Sequence, residues 1–165
     1  MVAKKGDSDF RYITDQTEYL IMAKSDYTFF FPFRVRYAET DAQGIVFYAH
    51  YLTYFDTAIT EYIRDLPFDY IEHVKRTGTD FHVVKAVVEF FVPSHFDDEI
   101  EAYVRTGKIG RSSLTFLIEI FPKNEEKTLV KGEVVWVNTN QKAKKSAPLS
   151  EELVVKLRDR EGNRI

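Results

Sequence analysis

The 165-residue sequence contains no cysteine. That absence excludes disulfide bonds, thiolate zinc sites and a cysteine nucleophile, and it fits a reducing compartment. Long apolar runs are also lacking, so we expect no membrane span. Lys4 and Lys5 are not followed by the apolar segment that a secretory signal peptide needs. The sequence therefore predicts a cytoplasmic protein.

An excess of positive charge is missing as well. The chain has 23 lysine and arginine residues against 26 aspartate and glutamate residues, which gives a net charge of −3. Nucleic acid is therefore not expected as a partner. The common motifs of serine hydrolases, dinucleotide-binding proteins, P-loop proteins and zinc proteases are absent. The four histidines lack the spacing of metal ligands, so we expect no metal site.

What the sequence does contain is a predicted strand, turn and helix within residues 27–64. Alternating apolar and charged residues predict the strand over residues 27–38. Apolar residues then recur at a spacing of four and three, which predicts a helix from about residue 47 to residue 64. The predicted buried face of this helix consists of Tyr48, Leu52, Phe55, Ile59 and Tyr62.

The rest of the chain predicts a short helix over residues 68–76, four strands and a last helix from about Ser150. Alternation of apolar and polar residues gives the strands, over residues 81–92, 99–109, 113–121 and 129–139. We therefore predict one α+β domain over residues 28–165, with a five-stranded antiparallel sheet around a long helix. Residues 1–27 form an N-terminal extension, in which a capping pattern at residues 15–18 suggests a short helix.

The long helix carries more apolar surface than a single sheet covers. A homo-oligomer that joins two sheets edge to edge would bury the remainder. We expect a homodimer or a homotetramer, and the sequence does not choose between them.

Asp41 lies in the predicted turn, a few residues before the N-terminus of the buried helix. Backbone N–H groups at a helix N-terminus are unpaired and the helix dipole is positive there, so such a place stabilises an oxyanion. A carboxylate beside an oxyanion site suggests acyl transfer. The alternative is a turn or N-cap aspartate, which residue chemistry alone favours.

The turn and the segments around it resemble a known family. The sequence from Tyr37 to Leu52, YAETDAQGIVFYAHYL, is similar to the signature of the 4-hydroxybenzoyl-CoA thioesterase family of hotdog-fold acyl-CoA thioesterases, which includes a Tol-Pal-associated branch. A second similarity runs from Val88 to Ile100. The resemblance implies a hotdog fold and hydrolysis of an acyl-CoA to a carboxylic acid and CoA, without a metal or redox cofactor. It also implies a site at a dimer interface.

The resemblance implies individual roles as well. Asp41 falls on the catalytic aspartate, which acts as a nucleophile or as a general base. Tyr48 falls where a backbone N–H polarises the thioester carbonyl. Contacts with the substrate are implied for Gly44, His50, Asp56, Arg111 and Ser113. Plainer interpretations remain for three of these residues: a helix cap for His50, a helix-surface carboxylate for Asp56, and a solvated hairpin residue for Arg111.

Two alternatives to an acyl-CoA thioesterase stay open. The first keeps the reaction but takes the acyl group from acyl carrier protein. The second is a non-catalytic acyl-CoA binding protein, against which the intact Asp41 and Gly44 argue. Tyr48 matches the 4-hydroxybenzoyl branch, which favours an aromatic acyl group, but the sequence does not identify that group.

Overall fold

A computed structural model describes residues 22–165 of the chain. The strands in this part are β1 (Phe29–Arg34), β2 (Thr79–Phe90), β3 (Glu99–Ile109), β4 (Ser113–Pro122), β5 (Val130–Asn140) and β6 (Lys145–Ser146). The α-helices are α1 (His50–Arg64), α2 (Tyr70–Thr77) and α3 (Glu151–Glu161). Short 3₁₀ turns lie at Lys24–Asp26, Tyr37–Glu39 and Gly162–Arg164. The helix predicted near residues 15–18 lies outside the described residues, so the division at residue 27 stays a prediction.

The strands form one antiparallel sheet in the order β1-β3-β4-β5-β2, and the two-residue β6 pairs with β5. Helix α1 packs against one face of this sheet, and the two share a single apolar core. The predicted α+β hotdog arrangement, a five-stranded sheet wrapped around one long helix, is confirmed. The short sixth strand was not predicted.

The ring of Phe55 on α1 lies against the sheet at Gly132, in the middle of β5. Gly132 shares the buried face of the strand with Val130, Val134 and Trp136. A side chain at residue 132 would overlap the ring of Phe55, which is buried on α1. Glycine at this position therefore lets the helix ring lie directly on the strand backbone.

Helix α1 begins three residues later than predicted, and part of its predicted buried face is wrong. Tyr48 precedes the helix and is 65% exposed, and Leu52 is 45% exposed. Phe55, Ile59 and Tyr62 are buried as predicted. The face against the sheet also contains Tyr51, Tyr54, Ala58 and Ile63. Phe47 to Leu52 is almost continuously apolar, so its spacing does not reveal where the helix begins.

The first strand is shorter than predicted because the chain leaves the sheet after Arg34. The backbone of Val35 exchanges hydrogen bonds with the 97–98 turn, since its N–H donates to Asp98 and its carbonyl accepts from Asp97. The Tyr37–Glu39 turn follows at once. This change of direction carries Asp41 off the sheet edge toward the start of α1.

The two shorter helices have local caps, and α2 begins two residues later and ends one residue later than predicted. The Asp69 side chain accepts from the N–H of Glu72 at the start of α2, and Gly78 ends that helix in the left-handed conformation. Ser150 caps α3 by accepting from the N–H of Leu153. Within residues 22–165, no helix is long and apolar enough to cross a membrane.

Candidate active site

Asp41 lies in a closed turn that connects the Tyr37–Glu39 segment to α1. Its N–H donates to the carbonyl of Ile45, and its carbonyl accepts from the N–H of Gly44, both at 2.9 Å. One carboxylate oxygen also accepts from the N–H of Gln43 at 2.8 Å. Gly44 has φ +77°, a conformation that favours glycine, so glycine at this position allows the tight turn. The turn therefore fixes the Asp41 backbone and leaves its other carboxylate oxygen outside this network.

The N-terminus of α1 beside this turn is uncapped. The N-cap residue is Ala49, and no side chain within residues 22–165 hydrogen-bonds to the first helical N–H groups. The N–H groups of Phe47 and His50 donate to the carbonyls of Glu39 and Phe47, respectively. Those of Tyr48 and Ala49 donate to no carbonyl among the described residues. The helix start thus presents two free donors at its positive end.

Asp41 and Tyr48 line one cleft of about 300 Å³. Its remaining wall is largely apolar and includes Ile45, Val46, Tyr51, Phe90, Val92 and Pro93. The structure therefore brings together a carboxylate, free backbone donors and an apolar surface. These are the parts that acyl transfer from a thioester requires.

Asp56 does not line this cleft. It lies on the exposed side of α1 and lines a second cavity, of about 390 Å³. Phe68, Tyr70 and Trp136 supply aromatic walls to the second cavity, and Ile63 supplies an aliphatic one. No hydrogen bond or ion pair to another described residue engages the Asp56 carboxylate, so it is available to a ligand or a partner chain.

Arg111 and Ser113 lie in the β3–β4 hairpin, far from Asp41 in the same chain. Ser113 pairs with Val137 of β5, and Val137 pairs with His82 near the start of β2. The Asp41 cleft instead adjoins Phe90, at the far end of β2. Eight residues of strand separate these ends, a distance on the order of 26 Å. Within one chain, the predicted site residues therefore fall into two groups.

His50 is the first residue of α1 and is half-buried. Its predicted alternative role as a helix cap is wrong, because the N-cap position belongs to Ala49 and His50 is already inside the helix. The ring of His50 instead packs edge-on against Phe47, with 6.1 Å between ring centroids. It lies outside the residues that line the cleft.

Sequence reasoning missed Glu39, which is only 5% exposed and lies two residues before Asp41. Its carboxylate accepts from the Arg36 N–H and from the Tyr54 hydroxyl, each at 2.7 Å, and pairs with the Arg36 guanidinium. Burial alone would raise the pKa of Glu39, but these donors together hold that pKa below its usual value. The anion therefore persists under the protein surface, and it is bonded to α1.

No group of three or more histidine, aspartate or glutamate side chains in residues 22–165 is arranged to hold a metal ion.

The family model of the Thioesterase superfamily matches residues 43–129, which is more than half of the chain. The chain belongs to this superfamily, and its enzymatic class is that of a thioester hydrolase. Among curated relatives, the acyl-CoA thioester hydrolase YbgC of Escherichia coli O6:H1 is 33% identical over 102 residues, covering 62% of this chain and 74% of YbgC.

Solved structures are similar over most of the chain. A 1,4-dihydroxy-2-naphthoyl-CoA thioesterase from Synechocystis superposes with a TM-score of 0.73 at 19% identity, covering 79% of this chain and 96% of that one. A thioesterase from Thermus thermophilus, solved with coenzyme A and zinc, gives a TM-score of 0.70 at 26% identity, covering 83% of this chain and 96% of that one. These similarities agree with the hotdog fold described above.

Proposed function

We propose that this protein hydrolyses an acyl-CoA to a carboxylic acid and CoA, with Asp41 as the reacting carboxylate. The observation that carries the proposal is the shared cleft of Asp41 and Tyr48, beside the uncapped start of α1. The E. coli relative named an acyl-CoA thioester hydrolase and the Thermus structure containing coenzyme A support this choice of substrate. Gly44 keeps the turn tight, and His50 at the helix start is proposed to contact the bound thioester.

The backbone N–H of Tyr48 would donate to the thioester carbonyl oxygen. Attack on the carbonyl carbon moves negative charge onto that oxygen, and the free N–H and the helix dipole stabilise the charge. Loss of one such donor typically costs roughly 2.7–4 kcal/mol of transition-state stabilisation. Collapse of the intermediate breaks the carbon–sulfur bond and expels the CoA thiolate, which is a good leaving group.

Asp41 can serve by two routes. As a nucleophile, its carboxylate forms an acyl-enzyme anhydride, which water then hydrolyses. As a general base, it takes a proton from the water that attacks the carbonyl. Hydrolysis over one turnover in ¹⁸O-labelled water, followed by mass spectrometry of the protein and of the acid product, tests the nucleophile route. Label in Asp41 with an unlabelled product supports the anhydride, because a general base exchanges no oxygen with water. A labelled product with unlabelled Asp41 leaves the base, or an anhydride opened at the acyl carbon.

A homodimer would unite the two groups of site residues. Strand β2 is an edge of the sheet, and its outer side pairs with no strand within residues 22–165. Val83, Val84, Val87 and Phe90 on this strand are exposed. Antiparallel pairing of two β2 edges about a two-fold axis would cover these side chains. It would also place the Phe90 end of one copy beside the His82 end of the other.

In this dimer, the Asp41 cleft of one copy faces the Asp56 cavity of its partner. The partner's hairpin would bring Arg111 and Ser113 to the same place, near the exposed Lys142 and Lys144 of the β5–β6 connection and Lys145 of β6. Guanidinium and ammonium groups suit the phosphates of CoA. The Asp56 cavity would receive the acyl group, and its aromatic lining favours a bulky or aromatic acyl group over a short one.

The test is thiol release from short, long and aromatic acyl-CoAs by wild type and by Asp41→Asn. The protein has no cysteine, so a thiol-reactive dye reports only the released CoA. We expect Asp41→Asn to lose activity by at least about 100-fold, since it lacks both the nucleophile and the base. Asp159→Asn, an exposed carboxylate on α3, is the matched control and should behave like wild type.

Other outcomes would redirect the proposal. Activity only on acyl groups attached to acyl carrier protein would change the proposed acyl donor and keep the proposed reaction. Tight CoA binding without turnover of any substrate would indicate a binding protein. Full activity in Asp41→Asn would show that another group carries the reaction.

A further inference from the structure

We infer that Tyr51 and Tyr54 are positioning residues, whose hydroxyl groups hold the Asp41 turn in register with the start of α1. The inference rests on the proposed role of Asp41 and adds two residues to its site. Both tyrosines lie in the first turns of α1, three residues apart and on the same face, and both are at most 3% exposed.

Tyr54 fixes the chain before Asp41. Its hydroxyl donates to the carboxylate of Glu39 at 2.7 Å, and the same carboxylate accepts from the N–H of Arg36. The carbonyl of Glu39 in turn accepts from the N–H of Phe47, just before the helix. Glu39 is therefore bonded to the buried face of α1 and to the segment that leads into it.

Tyr51 fixes the chain after Asp41. Its hydroxyl donates to Ser94 Oγ at 3.3 Å and accepts from the Ser94 N–H at 3.4 Å. The carbonyl of Ser94 accepts from the N–H of Val46 at 2.8 Å. Ser94 is fully buried, so this link lies inside the protein and not on its surface.

The two links enclose the turn. Between them, Thr40 pairs with Val46, and the Asp41 backbone bonds to Gly44 and Ile45. A turn closed by its own hydrogen bonds moves as one body, so fixing both ends fixes the Asp41 carboxylate. The anchors belong to the same helix that presents the free N–H of Tyr48. The tyrosines therefore set the position of the carboxylate relative to the oxyanion donors.

Both hydroxyl groups are held in the neutral form in which they can donate. Burial is the main cause of the raised pKa of Tyr54, and the neighbouring Glu39 carboxylate raises it further. Burial also raises the pKa of Tyr51. These links persist across the pH range in which a thioesterase is assayed.

Tyr51→Phe and Tyr54→Phe remove only the hydroxyl groups and keep the buried rings. Displacement of a reacting group by about 1 Å can cost about 100-fold in rate. We expect kcat to fall by about 10- to 100-fold in each variant, with the larger loss in the double variant, and KM to change by less than about twofold. Inhibition by free CoA should be unchanged, because phosphate contacts lie elsewhere.

Tyr62→Phe is the matched control. Tyr62 is a third buried tyrosine on α1, and its hydroxyl donates to the buried Glu161 carboxylate at 2.6 Å, far from the turn. A general loss of stability should lower Tm in all three variants, whereas kcat should fall only in Tyr51→Phe and Tyr54→Phe. If Tyr54→Phe fails to fold, Ser94→Ala tests the second link alone.

Equal kcat values in Tyr51→Phe, Tyr54→Phe and Tyr62→Phe would overturn the inference. Asp41→Asn in the same assay separates this failure from failure of the proposed function. An inactive Asp41→Asn beside fully active tyrosine variants leaves Asp41 in place and removes only the positioning role. A fully active Asp41→Asn removes both.

Discussion

Glu39 is a buried carboxylate that resists protonation in the native protein. Its folded pKa lies below the value of about 4.3 expected for an unfolded glutamate. As the pH falls through this interval, the unfolded chain takes up a proton that the native protein does not. The interaction therefore stabilises the protein above about pH 4.3, and its contribution is lost as the pH falls toward the lowered pKa.

We predict that wild type loses stability on acidification from about pH 5 to pH 3 more steeply than Glu39→Gln, whose amide does not titrate. Urea unfolding at several pH values measures the two slopes. Glu125→Gln, in the exposed loop between β4 and β5, controls for the loss of one carboxyl group. Parallel slopes for wild type and Glu39→Gln would show that Glu39 does not have this role.

The sequence indicates the roles of some residues of the site and not of others. Asp41 and Gly44 could be found because a turn and a helix start are local features. The links of Tyr54 to Glu39 and of Tyr51 to Ser94 span 15 and 43 residues, respectively. In each link, a tyrosine on the apolar face of α1 bonds to a polar residue, and the sequence around that polar residue indicates only a turn or a loop. No local pattern marks such pairs, so the structure was needed to find them.

The boundaries of helices and strands were predicted most accurately where the local sequence pattern is strong. Strand β3 was predicted with its observed limits, Glu99–Ile109, because alternation and two flanking turns agree there. The predicted start of α1 was three residues too early, because the aromatic residues before it do not mark where the helix begins. The edge position of β2 was also not readable, because strand order depends on contacts distant in sequence.

The contact between α1 and β5 gives a prediction about stability. Gly132→Ala would force the new methyl group into the space of the Phe55 ring, which is itself buried. We expect a loss of about 1–3 kcal/mol in the free energy of unfolding, as for other overpacked cores. Urea unfolding measures this loss.

The control measures Gly132→Ala in a Phe55→Leu background, where a smaller side chain replaces the ring. Gly132→Ala should cost less there than in wild type, because residues in contact are energetically coupled. The same loss of stability in both backgrounds would mean that the Phe55 ring does not limit the size of the side chain at residue 132.

At the scale of the whole molecule, one chain leaves the proposed reaction incomplete. The Asp41 cleft and the Asp56 cavity lie toward opposite ends of β2, and the edge of β2 carries exposed apolar side chains. Burying this edge and completing the site would require the same two-fold pairing. The sequence predicted an oligomer from surplus apolar surface, and the separation of the two cavities gives a geometric reason for it.

The most direct test of the account is complementation between two inactive variants. Asp41→Asn removes the reacting carboxylate, and Asp56→Trp fills the cavity proposed to hold the acyl group. Co-refolding equal amounts should make half of the dimers mixed, each with one intact site, so thiol release should recover to about a quarter of the wild-type rate. A mixture no more active than its parents, or an Asp56→Trp variant as active as wild type, would contradict a site shared between two copies.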